Sequence, residues 1–183
     1  LNSYAQNVNI PDANFKAYLV GNTLINANFD TEIQVSEATA FGGEINCWGL
    51  NISDLTGIEA FTALTYLDCG NNQLTSLDVT QNTALTSLFC SGNALTSLDV
   101  TQNTALTALS CCNNNQLTSL DVSNNTALTN LYCRNNQLTC LNVKNGNNTN
   151  LNNFSALVNP NLTCIEVDDV AWSNSNWTSI DAQ

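Results

Sequence analysis

The sequence predicts a solenoid, a curved right-handed coil that lines up one short strand per turn into a parallel β-sheet on its concave side. Two observations predict it. From Leu64 the chain repeats every 21 residues: LTYLDCGNNQLTSLDVTQNTA (64–84), then LTSLFCSGNALTSLDVTQNTA (85–105), then LTALSCCNNNQLTSLDVSNNTA (106–127) with one extra residue, then LTNLYCRNNQLTCLNV (128–143). Within each copy the apolar residues hold fixed slots, L-x-x-L-x-C-x-x-N-x-L, the leucine-rich-repeat pattern with Cys in the third apolar slot. A coil of this kind cannot bury its apolar side alone, so stacking of neighbours makes the core and the ends need caps.

Residues 1–5 read as the remnant of a secretory signal peptide, because Ser3-Tyr4-Ala5 matches a small-x-small cleavage pattern that would leave Gln6 first. Residues 6–41 do not follow the repeat and form a helical N-terminal cap. Asp12 opens a short helix with Phe15, Tyr18 and Leu19 on one face, Gly21-Asn22 stops it, and a second helix covers Val35 to Ala40. The repeats fill 42–150, beginning with a divergent coil in which Glu44-Ile45-Asn46-Cys47, Ile52 and Leu55 keep the register. In 151–183, Leu151, Phe154 and Ala156 take the slots of a degenerate last coil, and the tail with Trp172 and Trp177 folds over the open end as a C-terminal cap.

Each L-x-x-L-x-C forms a strand with Leu, Leu and Cys inward. Asn72, Asn93, Asn115 and Asn136 then turn the chain and bond backbone groups of neighbouring coils. Leu-Thr-Ser-Leu-Asp-Val returns along the convex side as a short extended stretch, since a 21-residue coil leaves little room for a helix. Asp78, Asp99 and Asp121 stack along that return, where accepting backbone N–H bonds in the turns would offset their mutual repulsion. Cys112 is assigned to the extra residue of its coil and is expected to be exposed.

Composition removes several classes of function. Lys16, Arg134 and Lys144 are the only strong bases against 15 acidic residues, a net charge of −12. Nucleic-acid binding needs cations to replace phosphate counterions, and anionic membrane surfaces need them too. No apolar run approaches the ~20 residues of a membrane span. The chain has no His, the commonest general base and zinc ligand, and no carboxylate pair is marked out for catalysis, so the sequence is read as non-enzymatic.

Apart from Cys112, the Cys residues, eight in all, divide into two groups. Cys47, Cys69, Cys90, Cys111 and Cys133 share the inward slot on successive coils and read as buried thiols packing as small hydrophobes. A straight ladder cannot converge four thiolates tetrahedrally on a metal. Cys140 and Cys164 lie outside that slot at equivalent positions of the last two coils, where adjacent strands could bridge them by a disulfide that locks the C-terminal cap.

Asn26 to Glu37 has the spacing of a twelve-residue calcium loop. Side-chain oxygens fall on Asn26, Asn28 and Asp30, with Glu32 following, Ile33 as the apolar anchor and Glu37 at the bidentate last position. Asn in place of Asp at the first and third positions and Thr31 in place of Gly depart from the pattern. Two readings follow: a structural Ca2+ that ties down the cap, and a metal-free, Asx-rich loop.

Comparing the coils slot by slot locates a ligand surface. The return stretch barely changes, whereas the outward strand slots vary: Trp48, Tyr66, Asp68, Ser87, Phe89, Ser110, Asn130, Tyr132 and Arg134 fall in or just beyond them. An outward Phe89 has no core reason to exist, and aromatics among short polar residues are typical of interface anchors. The concave face therefore reads as a binding surface for a protein partner. The alternative is glycan binding, with the same aromatics stacking on sugar rings. A minor alternative is ice or mineral binding by the Thr rows at 75, 96, 118 and 139.

The run Val8-Asn9-Ile10-Pro11-Asp12-Ala13-Asn14-Phe15, the Cys-bearing repeats and Asn161-Leu162-Thr163-Cys164 together resemble secreted leucine-rich-repeat proteins of the Bacteroidota, internalin-like surface proteins often exported by type IX secretion. The resemblance covers nearly the whole chain. It implies a secreted or cell-surface adhesion or binding module without a common ligand. The C-terminal sorting domain that many such proteins carry is not visible in these residues, which suits either a part of a larger surface protein or complex, or a chain retained differently.

Overall fold

Asp12 ties the first helix to the first coil. In the computed structural model, which describes residues 6–180, its Oδ1 accepts the N–H of Asn14 (2.9 Å) and Phe15 (3.0 Å), capping α1 (Ala13–Gly21). Its Oδ2 accepts the N–H (2.8 Å) and hydroxyl (3.0 Å) of Ser53. The Ser3-Tyr4-Ala5 run lies outside the described residues. Helix α2 (Val35–Ala40) starts with a capping box between Gln34 and Glu37. Phe15 and Leu19 of α1 and Ala38 of α2 are fully buried and close the first end of the core.

Six parallel strands follow in one sheet, one per coil: β1 (Glu44–Asn46), β2 (Tyr66–Asp68), β3 (Ser87–Phe89), β4 (Ala108–Ser110), β6 (Asn130–Tyr132) and β8 (Asn153–Ser155). Leu67 pairs with Leu88, Leu88 with Leu109 and Leu109 with Leu131, so equal slots of successive coils lie side by side. The return side carries a second parallel sheet of β5 (Ser119–Asp121), β7 (Cys140–Asn142) and β9 (Cys164–Glu166), with a lone bridge between Asp78 and Asp99 extending the same pattern. This is the coil the repeat predicts: strand, turn, extended return. Leu64, Leu67, Cys69, Leu74 and Val79 of one coil are all fully buried, as are their counterparts in the next. Burial of each such side chain is worth about 1.5–3 kcal/mol.

The turn after each strand has a fixed solution. The second residue past the Cys slot takes a left-handed conformation at Gly49, Asn71, Gly92, Asn113, Asn135 and Val158 (φ between 50° and 71°). Gly and Asn suit that region, and Val158 in the degenerate last coil is the β-branched exception. The third residue is Asn72, Asn93, Asn114, Asn136 or Asn159. Asn93 shows the bonding: its Nδ2 donates to Cys69 O and Cys90 O (both 3.1 Å) and its Oδ1 accepts Leu74 N–H (3.0 Å), so one amide satisfies two coils.

The third repeat departs from expectation in two places. The ladder asparagine is Asn114, not Asn115: Asn114 Nδ2 donates to Cys90 O (3.2 Å) and Cys111 O (3.0 Å), while Asn115 is exposed. The extra residue therefore sits in the turn past Asn114, and Leu117 N–H bonds to Asn114 O (3.1 Å). Cys112 consequently keeps a regular slot and is buried, 8% exposed, with its N–H on Ser91 Oγ (3.0 Å).

A second asparagine ladder runs through the constant half of the repeat. Asn82, Asn103 and Asn125 are fully buried, and each Nδ2 donates to two carbonyls of the preceding coil, as Asn103 does to Val79 O and Asn82 O (both 2.9 Å). At the far end Asp169 caps α3 (Val170–Asn176) by accepting Trp172 N–H (3.0 Å). The Trp177 ring packs at a tilt against Phe154 (centroids 4.5 Å apart, planes 46°) and meets Trp172 edge-on. Ala156 N–H bonds to Ser179 O (2.9 Å), which extends the long sheet past β8.

Candidate functional site

On the six-stranded face the outward slots form two rows set by the strand register. Glu44, Tyr66, Ser87, Ala108, Asn130 and Asn153 make one; Asn46, Asp68, Phe89, Ser110, Tyr132 and Ser155 make the other. Each strand residue between them is buried, so these side chains stand on a continuous floor of Leu, Ile and Phe.

The structure brings part of the sequence-defined set together. Trp48, Tyr66, Asp68, Phe89 and Ser110, with Gly70 and Ser91, line one depression of about 320 Å³. Tyr66 and Phe89 are in ring contact (centroids 5.5 Å, planes tilted 50°) and so are half-buried rather than fully outward. Trp48 flanks them and is 56% exposed. Asp68 Oδ1 accepts Gly70 N–H (3.0 Å). Burial, then the carboxylates of Asp68 and Glu44, push the Tyr66 hydroxyl above the usual tyrosine range, so both negative charges bear on the ring's polar end. Ser91 and Ser110 bond to each other through their hydroxyls (2.8 Å).

The other members lie apart. Ser87 is half-buried in the first row, outside the depression. Tyr132 is 37% exposed and separated from Phe89 by Ser110, so the aromatics do not make one unbroken row. Asn130 donates to Thr129 Oγ1 (3.2 Å) and accepts from Asn153, and Arg134 is exposed past the end of β6. Gly70 and Ser91 fall in the same variable slot as Trp48 but outside the sequence-defined set, and their small size shapes the depression.

The return face is chemically quieter. Asp78 Oδ1 accepts the N–H (3.0 Å) and hydroxyl (2.7 Å) of Thr80, and Asp99 does the same with Thr101. These bonds hold both carboxyls below the usual range, which is the turn role expected of them. Thr75, Thr96, Thr118 and Thr139 are exposed, with the Thr139 hydroxyl donated to Thr118 O (3.2 Å).

The inward thiols pack. Cys47, Cys69, Cys90, Cys111 and Cys133 are fully buried, and burial pushes Cys47 and Cys90 up to about 12 and the other three well above the ordinary value. A thiol so placed stays protonated at neutral pH and packs as a small hydrophobe. Cys140 and Cys164 are register partners of β7 and β9, 4.5 Å apart at Cα, and form a disulfide.

Many of the side-chain oxygens of the Asn26–Glu37 loop are taken up by protein donors. Asn26 is buried and donates to Val20 O (3.0 Å) and Asp30 O (2.9 Å), and its Oδ1 has no hydrogen-bond partner. Asp30 Oδ1 accepts Glu32 N–H (2.7 Å), and its Oδ2 accepts the amides of Asn28 and Gln34 (both 2.9 Å). The Glu32 carboxylate pairs with Lys16 (2.7 Å). Glu37 Oε1 accepts the N–H of Ala27 (2.9 Å) and Asn28 (3.3 Å), and Oε2 that of Gln34 (3.0 Å). Protein donors thus occupy oxygens of Asp30, Glu32 and Glu37 while Asn26 Oδ1 stays open, and the left-handed turn falls at Phe29 (φ 61°) rather than Thr31.

No family model matches the chain. It is 41% identical to internalin J of Listeria monocytogenes over 72 residues, which is 39% of this chain and 8% of that protein. Among solved structures it is similar to internalin C2 of the same species (TM-score 0.65, 17% identity, 97% of this chain and 96% of that one) and to the L. monocytogenes internalin inlF (TM-score 0.54, 17% identity, 98% and 71%). A functional domain of the L. monocytogenes internalin InlJ that includes a cysteine ladder is also similar (TM-score 0.49, 29% identity, 91% and 49%). The chain thus spans only a small part of internalin J and about half of that domain. The chain is a leucine-rich-repeat solenoid with the internalin fold, similar in sequence over part of its length to internalin J.

Proposed function

We propose that the chain is a non-catalytic protein-binding module of a secreted or surface-exposed protein, and that it binds through the six-stranded face. One observation carries the reading: Trp48, Tyr66, Phe89 and Tyr132 stand on a face whose floor is already fully packed without them. The return half of each coil stays nearly constant while these slots differ from coil to coil. Large, stiff aromatics among short polar side chains are what interface centres are built from. The internalin likeness supports a surface setting, and no helix among the described residues is long and apolar enough to cross a membrane. The Bacteroidota placement rests on the sequence resemblance alone.

The test is capture of partners from surface-labelled native cells by the purified chain and its variants. Phe89→Ala and Tyr132→Ala should each lose the captured species with an unchanged melting curve, and Thr96→Ala on the return face should keep it. Retention by the first two with loss by the third would place binding on the Thr rows instead. Glycan recognition by the same aromatics is the second reading, favoured by the ring pair Tyr66–Phe89 beside a carboxylate. Saturable sugar binding on a glycan array, abolished by Phe89→Ala, would select it.

A further inference from the structure

We propose that the depression formed by Trp48, Tyr66, Asp68 and Phe89 receives an arginine side chain of the protein partner; this rests on the protein-binding reading above. The ring faces and the free carboxylate oxygens there share one electrical character. Trp48 presents an exposed indole, and Tyr66 and Phe89 present a tilted ring pair, each with a negative π face. Asp68 spends Oδ1 on Gly70 N–H, and no bond of Oδ2 is formed among the described residues. Glu44 sits beside Tyr66 on the outer strand and is exposed.

No base of the chain answers these carboxylates. Lys16 is committed to Glu32 on the cap, and that is the one ion pair among the described residues. Lys144 follows β7 in the other sheet. Arg134 occupies the slot of Gly70 three strands further on, ~14 Å away at ~4.8 Å per strand, where a Debye length of about 8 Å screens most of its field. The whole chain carries −12, so nothing more distant compensates.

A sugar would draw on several donors as well as acceptors, and here only the Tyr66 hydroxyl and the Trp48 indole N–H are left to donate. The Ser91 and Ser110 hydroxyls bond to each other, and Ser91 Oγ also accepts Cys112 N–H. A cation needs only acceptors and π faces. A guanidinium fits better than an ammonium, because the flat ion can lie on a ring while its N–H edge meets a carboxylate. Gly70 keeps the floor low enough: a Cβ there would come within 3.0 Å of Trp48 Cδ1.

The probe is the peptide acetyl-Gly-Gly-Arg-Gly-Gly-amide, titrated into the protein while the Trp48 indole N–H is followed by NMR, with Trp48→Phe identifying the signal. The expected result is a saturable shift of that signal, with the lysine counterpart binding several-fold more weakly. Asp68→Asn should weaken the arginine peptide about tenfold, the scale of one lost charge-assisted contact. Asp99→Asn removes the same charge from the other face and should leave binding unchanged. Equal weakening by Asp68→Asn and Asp99→Asn would reduce the effect to net charge and overturn the proposal, as would an unmoved Trp48 signal. If the peptide fails while Phe89→Ala and Tyr132→Ala still abolish partner capture, the arginine assignment falls and the binding face stands.

Discussion

Gly70 makes room for Trp48. A Cβ at Gly70 would sit 3.0 Å from Trp48 Cδ1 and 3.1 Å from the Ser91 carbonyl, closer than a side chain and a backbone oxygen normally allow. The indole therefore lies over the strand end only because its neighbour in the next coil has no side chain. Gly70→Ala is expected to displace Trp48 outward at a modest stability cost, about 1 kcal/mol. The check is the emission of Trp48 in a Trp172→Phe/Trp177→Phe background, which should shift to the red, with partner capture reduced.

The two asparagine ladders should differ in weight. Asn93 serves three backbone groups, Leu74 N–H, Cys69 O and Cys90 O, whereas Asn103 serves two carbonyls and leaves its own Oδ1 unpartnered. Truncation strands buried polar groups, each worth about 1–3 kcal/mol. Asn93→Ala should destabilise more than Asn103→Ala in urea unfolding, with the larger loss about 3 kcal/mol or more.

The thiols should sort by location. In native protein at pH 8 without reductant, Cys47, Cys69, Cys90, Cys111 and Cys133 should react slowly with a thiol reagent, because burial keeps them protonated. Denaturation without reductant should release six thiols, and reduction two more, at Cys140 and Cys164. The bridge closes a separation of 24 residues, so Cys140→Ala/Cys164→Ala should lose about 3 kcal/mol. Alkylation of Cys140 or Cys164 in the unreduced, denatured protein would contradict this.

Calcium should leave the cap unchanged. Glu37 is spent on the N–H groups of Ala27, Asn28 and Gln34, and Glu32 on Lys16. Adding millimolar calcium to chelator-treated protein is expected to leave the melting temperature where it was. A rise that Glu37→Gln removes would show that the loop reorganises around a cation after all.

Much of this architecture is written in the repeat, because a period of 21 residues with fixed apolar slots admits one way of stacking a core. The burial of Leu67, Cys69 and Val79 and the turns at Asp78 and Asp99 follow directly from slot identity. The third repeat was ambiguous for a physical reason. Its Cys111-Cys112-Asn113-Asn114-Asn115 run allows two alignments, and only hydrogen bonding separates them: the residue three past Cys111 reaches both Cys111 O and Cys90 O. The second ladder escaped notice because Asn82 and Asn103 sit in Thr-Gln-Asn-Thr, a run polar enough to read as surface. The calcium pattern was legible as spacing, but partners such as Lys16 come from elsewhere in the chain. Gly70 falls in the variable slot just past the strand, but an absent side chain carries no chemical signature that marks it as part of the site.

The central claim is that ligand binding belongs to the six-stranded face. Its most direct measurement compares partner capture by Phe89→Ala with capture by Thr96→Ala, on proteins of equal melting temperature. Loss with Phe89→Ala and full retention with Thr96→Ala is the expected result. Full retention with Phe89→Ala would contradict it.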